Sequence, residues 1–335
     1  MAVPSGEGLE KLEDMIVRAA ESTAAHIRAA KTAIGAVIFG QERVVEHALV
    51  TVLSGGHALL VGVPGLAKTK LVETMGVVLG LDARRIQFTP DLMPSDILGS
   101  EVLEESPGGK RNFRFISGPI FAQLLMADEI NRASPRTQSA LLQAMQEQHV
   151  TVAGARHDLP RPFHVLATQN PLEQEGTYPL PEAQLDRFLM EVDVDYPDRE
   201  AERRILFDTT GAEESRPKPA MTVDELLAAQ RLVRRLPVGE SVVEAILNLV
   251  RAARPGSDSA AAKLIAWGPG PRASQALMLA VRARALIDGR FAPSIDDVVD
   301  LATPVLKHRM ALTFAARADG ETVEAVIGRL KTGIG

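Results

Sequence analysis

Gly62-Val63-Pro64-Gly65-Leu66-Ala67-Lys68-Thr69 stands directly after a short apolar run, His57-Ala58-Leu59-Leu60-Val61, and before a segment, 70–79, of helical character. Strand, glycine-bearing turn and helix in that order make a phosphate cradle. Backbone N–H groups of the turn face the anion, and the helix N-terminus adds partial positive charge. Lys68 is then placed to reach β- and γ-phosphates, and Thr69 to offer a hydroxyl to Mg²⁺. The full pattern G-x-x-x-x-G-K-[ST] has glycine before the lysine, where this chain has Ala67. A methyl group is tolerable there if φ stays negative. Taken alone, the string also fits a glycine-rich strand-to-helix turn with an incidental lysine.

Further short apolar runs recur at 84–89, Leu124–Asp128, 163–168 and 188–194, most of them separated by helical segments. Five such strands alternating with helices predict an α/β fold with a mostly parallel five-stranded sheet covered on both faces. Leu124-Leu125-Met126-Ala127 ends in Asp128-Glu129, two carboxylates at a strand's carboxyl end, where open α/β sheets bind ligands. Asp128 can hold Mg²⁺ through its water shell, and Glu129 can deprotonate an attacking water. Adjacent residues on a strand point opposite ways, which predicts two separate roles. An acidic turn is the plain alternative, and the loop at Gly62 weighs against it. The next strand runs into Gln169-Asn170-Pro171, so Asn170 can help position a water. Arg187, within Leu185-Asp186-Arg187-Phe188, either serves another subunit or pairs locally with Asp186. Gly268-Pro269-Gly270-Pro271-Arg272 reads only as a turn ahead of a helix.

Outward from this core, the 335 residues divide into an N-terminal helix (1–33), the α/β unit (34–208), a linker (209–221) and a C-terminal region (222–335) read as all-helical. Thr222, Ser274 and Ser294 are its expected helix caps. A net charge of −6 supplies no global field for polyanions, and the basic segments at 110–114 and 231–235 are small. The absence of cysteine excludes disulfides, thiolate nucleophiles and cysteine-ligated metals. Glu7, Glu10, Glu13 and Asp14 interrupt any secretory apolar segment, and no run of about 18 apolar residues occurs, so a cytoplasmic protein without membrane insertion is expected. The seven histidines form no helical metal pair, Trp267 is expected to anchor the neighbouring loop, and the ten methionines are core filler.

With these residues assembled, the chain resembles the MoxR family of AAA+ ATPases from about Ala33 to its C-terminus. The segment from Gly62 through Val63, Pro64, Gly65, Leu66, Ala67 and Lys68 to Thr69 resembles that family's Walker A loop, with Lys70 expected among the nucleotide contacts, and LLMADEINR resembles its Walker B strand. The resemblance implies a P-loop NTPase core with a helical lid that closes over ATP and Mg²⁺. By it Asn170 is sensor 1, Arg187 an arginine finger acting in trans, Arg272 sensor 2 reaching the γ-phosphate from the lid, and Phe39-Gly40 an adenine contact. Val305-Leu306-Lys307-His308-Arg309 is similar to a late helix of the family's lid. It further implies a homo-oligomeric ring, expected to be hexameric, doing chaperone-like work on a client, often with a separate von Willebrand factor A protein. Insertions at about 97–118, interrupting the helix after the second strand, and a hairpin at 149–162 fit the clade that joins MoxR to magnesium-chelatase ATPases. Two rivals remain: a DNA translocase using Lys110, Arg111 and Arg114, and a scaffold that binds ATP with little turnover.

Overall fold

The computed structural model describes residues 6–105, 111–173, 176–211 and 216–334. Lys110 of the basic segment and residues 212–215 of the expected linker lie outside them. Helices α1 (Gly6–Gly35) and α2 (Glu42–Leu53) lead to strand β1 (Ala58–Val61), then α3 (Lys68–Val78) and β2 (Ala83–Gln87). A short α4 (Pro94–Leu98) opens into an antiparallel hairpin of β3 (Gly99–Glu105) and β4 (Arg111–Ser117). Next come β5 (Leu124–Asp128), α5 (Pro135–Glu147), a second hairpin of β6 (His149–Val152) and β7 (Ala155–Asp158), then β8 (His164–Gln169), α6 (Glu182–Leu185), β9 (Met190–Asp193) and α7 (Arg199–Thr210).

The five core strands form one sheet in the order β2-β5-β8-β1-β9, all neighbours parallel. Side chains alternate between two apolar clusters, as a period of two requires. Leu59, Leu125, Ala127, Val165 and Ala167 pack with Leu141 and Leu142 of α5. Ala58, Leu60, Leu124, Met126 and Leu166 share a core with α2, α3 and the C-terminal helices. Burial on both faces is why these strands read as unbroken apolar runs.

Two expectations about the inserts resolve differently. The helix after β2 ends at Leu98 and does not resume, since the chain turns through 119–123 straight into β5. Within the expected 149–162, a hairpin spans His149–Asp158, turning on Ala153 and Gly154 at φ 49° and 84°, a pair of left-handed residues that suits the twist of a tight β-turn. Arg114 and Arg111 face Glu104 (2.8 Å) and Glu105 (3.5 Å) across β3 and β4, so this basic segment is locally paired.

The C-terminal region carries α8 (Val223–Val233), α9 (Glu240–Ala252), β10 (Ile265–Trp267), α10 (Pro271–Ile287), α11 (Ile295–Leu306), β11 (Ala311–Leu312), α12 (Phe314–Ala318) and α13 (Val323–Lys331). It is mostly rather than wholly helical: β10 and β11 pair antiparallel, and strands of three and two residues are too short to show a period. Thr222 caps α8 through a reciprocal pair with Glu225, and Asp297 accepts the Ser294 N–H at 2.7 Å. Ser274 is no cap. It lies inside α10, which starts at Pro271, a residue whose fixed φ suits a first turn. Helix α7 was not foreseen and runs through Thr209 and Thr210 of the expected linker. It buries only Ala201, so its sequence has no apolar stripe. No helix among the described residues is long and apolar enough to cross a membrane.

Two buried histidines, His57 ahead of β1 and His164 opening β8, lie at the start of β8. His57 Nδ1 accepts the Val165 N–H at 2.9 Å, and His164 lies 2.9 Å from the Gly56 carbonyl and 3.1 Å from Gln230 Nε2. Burial pushes His57 down to about 3, helped by the neighbouring His164, and burial pushes His164 down to about 4. The unfolded chain takes up these protons near pH 6.5 and the folded chain does not, so stability falls as pH drops from 6.5 towards 4. Urea unfolding is expected to show a loss of about 3 kcal/mol or more between pH 7 and pH 4.5. A pH-independent midpoint would mean that the rings are solvated.

Candidate active site

The turn after β1 is shaped by close approach. A Cβ on Gly62 would sit 2.5 Å from the Val194 carbonyl oxygen beyond β9, and Gly65 has φ +86°. Ala67 has φ 56° and ψ 18°, the left-handed region, so the expectation of negative φ is overturned. The left-handed conformation costs a non-glycine residue about 1–2 kcal/mol, and the loop accepts it to aim the first N–H groups of α3 into the site. Ala67→Gly removes that strain while adding about 0.4–1 kcal/mol of unfolded-chain entropy. A small rise in urea midpoint is therefore expected, and a fall would show that the alanine is unstrained.

Lys68 opens α3. Its ammonium donates to the Gly62 carbonyl and to the Val63 carbonyl (3.0 Å), the loop's own acceptors. Partial burial lowers its pKa, opposed by the charges of Asp128 and Glu129. These carboxylates close the far side of a cavity of about 450 Å³ whose lining includes residues 64–70 and Asn170. Lys68, Thr69, Asp128, Glu129 and Asn170 are thus brought together.

Strand alternation does not separate the two acids. Glu129 follows the end of β5 at φ 54° and ψ 51°, and this left-handed kink turns its side chain back into the same cavity as Asp128. Thr168, at the tip of the intervening β8, holds the kink. Its hydroxyl donates to Asp128 Oδ1 (2.5 Å) and accepts the Glu129 N–H (2.8 Å). Three further residues were missed. Arg85 donates to Asp128 Oδ2 through Nε (3.2 Å) and Nη2 (2.6 Å). Gln87 Nε2 and Arg132 Nη1 both donate to Glu129 Oε2, at 2.7 and 3.0 Å. Arg85 and Gln87 are two apart on β2, so strand periodicity alone puts them on one face, next to β5.

The site fits a nucleotide with a hydrated divalent ion. Loop and helix start offer N–H donors to phosphate. The Thr69 hydroxyl and one carboxylate are too few for an all-protein cage, which suits an ion that keeps its waters and shares phosphate oxygens. Among the described residues no cluster of three or more histidine, aspartate or glutamate side chains could hold a metal alone.

The other expected residues lie outside the Lys68 cavity. Phe39 and Gly40 pack on α7, with Arg204 4.4 Å above the Phe39 ring and a Cβ on Gly40 meeting Ala201 at 2.4 Å, and Gly40 lines the neighbouring cavity between core and lid. Arg187 and Arg272 stand at the sheet's amino-terminal edge. Residues 186–189 precede β9, and the Leu189 N–H bonds to the His57 carbonyl ahead of β1. A four-residue strand spans about 13 Å, so this edge is that far from the loop. Asp186 pairs with Arg272 (3.1 Å) and with the buried Arg309 (2.7 Å), while Arg187 donates to the Leu142 carbonyl instead. The lid meets its own core at a second cavity of about 250 Å³, where Thr303, Pro304 and Lys307 line one side and Gly40, Gln41 and Tyr196 the other. Among the described residues none of the lid lines the Lys68 cavity itself, and Arg309 fastens the lid to Asp186 and Phe188 at the amino edge.

Comparison with known proteins agrees with this architecture. Residues 57–190 match the ATPase family associated with various cellular activities (AAA), and residues 257–330 match the AAA lid domain. The chain is 41% identical to the chaperone MoxR1 of Mycobacterium tuberculosis over 98% of its own length and 87% of the relative's. It is 33% identical to the protein MoxR of Paracoccus denitrificans over 86% of this chain and 89% of that one. A crystal structure from Cytophaga hutchinsonii, described as an ATPase by assignment, superposes with a TM-score of 0.87 at 35% identity, covering 97% of this chain and 98% of that one.

Proposed function

Since the chain belongs to the MoxR family of AAA+ ATPases, we propose that it hydrolyses ATP at the interfaces of a hexameric ring and spends the cycle on remodelling a partner protein complex in the cytoplasm. The observation that carries this reading is the placing of its charges. The ammonium of Lys68 and the two acids share one cavity at the sheet's carboxyl edge, while Arg187 and Arg272 sit at the opposite edge, free of it. A ring that sets the amino edge of one subunit against the carboxyl edge of the next would bring both guanidinium groups to the neighbour's nucleotide.

In that setting the loop N–H groups and Lys68 bind the phosphates, and Asn170 orients the water. Glu129 accepts the water's proton at its carboxylate, whose Oε2 takes the Gln87 and Arg132 donors. Mg²⁺, held by the Thr69 hydroxyl and Asp128, would neutralise charge on the phosphate oxygens. Arg187 and Arg272 of the neighbour would stabilise charge as the γ-phosphoryl group transfers. The client is a separate protein or a complex containing a von Willebrand factor A module. The local pairing of Arg111 and Arg114 with glutamates counts against a DNA-tracking motor.

The test is steady-state phosphate release measured against protein concentration. Activity per subunit that rises as rings assemble is expected. Constant activity per subunit across the assembly range would contradict a shared site, and no release at all would favour a nucleotide-dependent scaffold.

A further inference from the structure

Asp128, the acid proposed for the metal, accepts from the protein at both oxygens. Thr168 takes Oδ1, and Arg85 places two donors on Oδ2. The same Arg85 Nη2 donates to Gln87 Oε1 at 2.8 Å, and Gln87 in turn holds Glu129. One arginine on β2 therefore reaches Asp128 directly and Glu129 through an amide. The Arg85 side chain is 49% exposed and that of Asp128 only 13%, so the arginine is the partner that can swing away.

We propose that Arg85 is a positioning residue that serves as a built-in cation for Asp128. It neutralises Oδ2 in the metal-free protein and must be displaced before a divalent ion can use that oxygen. A guanidinium and a hydrated divalent cation cannot both sit on one carboxylate oxygen without like-charge repulsion. Displaced Arg85 releases Gln87, so loading the ion also loosens the hold on Glu129. In metal-free conditions Arg85 instead screens Asp128 from the incoming phosphates, which lets nucleotide bind without the ion. This rests on the nucleotide site proposed above.

The test is calorimetric binding of ATPγS to the full chain, in excess EDTA and in excess MgCl2, for wild type, Arg85→Met and Arg85→Lys. The readout is the ratio of the two dissociation constants, EDTA over Mg²⁺, and needs no turnover. Arg85→Met is expected to raise this ratio about fivefold, by weakening metal-free binding and easing metal binding. Arg85→Lys, which keeps the charge without the fork, should fall between the two. A ratio unchanged in Arg85→Met, or raised equally in Arg85→Lys, would overturn the proposal even if every protein binds ATPγS. Wild type that binds no ATPγS in either condition would sink the nucleotide site and the proposal together.

Discussion

Glu129→Gln is expected to keep ATP bound and to lose about 10²–10⁴ of turnover, the span a positioned general base supplies. The amide is isosteric and keeps an oxygen that can accept from Gln87 or Arg132, the two donors now on Oε2. The left-handed kink at 129 should survive as well, because its anchor is the backbone N–H bonded to Thr168 rather than the carboxylate. What vanishes is a site for the water's proton. Single-turnover phosphate release beside nucleotide binding separates the two functions. A variant that hydrolyses at the wild-type rate removes Glu129 from the chemistry, and one that loses nucleotide shows that its charge mainly supports the fold.

Arg187→Ala should be as severe, because a trans arginine is worth about 10³–10⁵ in rate. The side chain is half-buried against α5 and donates to the Leu142 carbonyl, so part of any effect could be structural. Mixing resolves this. Subunits carrying Arg187→Ala retain Glu129, and subunits carrying Glu129→Gln retain Arg187. Random rings of the two would contain about one complete interface in four, and activity should return to roughly that fraction. An arginine acting within its own chain would give no recovery, and a variant already active by itself would exclude any role in turnover.

Much of this architecture was legible because burial imposes pattern. Strand β5 coincides with the apolar run at Leu124–Asp128, and the loop at Gly62 stands where a strand meets a helix. Glycine at 62 is dictated by the Val194 carbonyl, a contact no local pattern displays. Hairpin β3–β4 escaped notice although Asn112-Phe113-Arg114-Phe115 alternates polar and apolar residues, because that run is short and Leu103 and Phe113 stay exposed, so no buried face extends the pattern into β3. The kink at Glu129 was illegible for a different reason: it depends on Thr168, a residue on another strand some forty positions away. Arg85 and Gln87 could have been found from their i, i+2 spacing. That required knowing that β2 neighbours β5, which is a matter of topology. The place of Arg272 was set by Asp186 and Arg309, two residues distant in sequence whose pairing pins the lid to the amino edge.

The account stands on a triphosphate being held by the loop at Gly62 and the ammonium of Lys68. Calorimetric titration of wild type and Lys68→Ala with ATPγS and Mg²⁺ tests this most directly. Saturable uptake by wild type, lost or weakened about a hundredfold or more in the variant, is predicted from the loss of a charge-assisted contact in a partly buried site. No uptake by wild type, or equal uptake by both proteins, would contradict it.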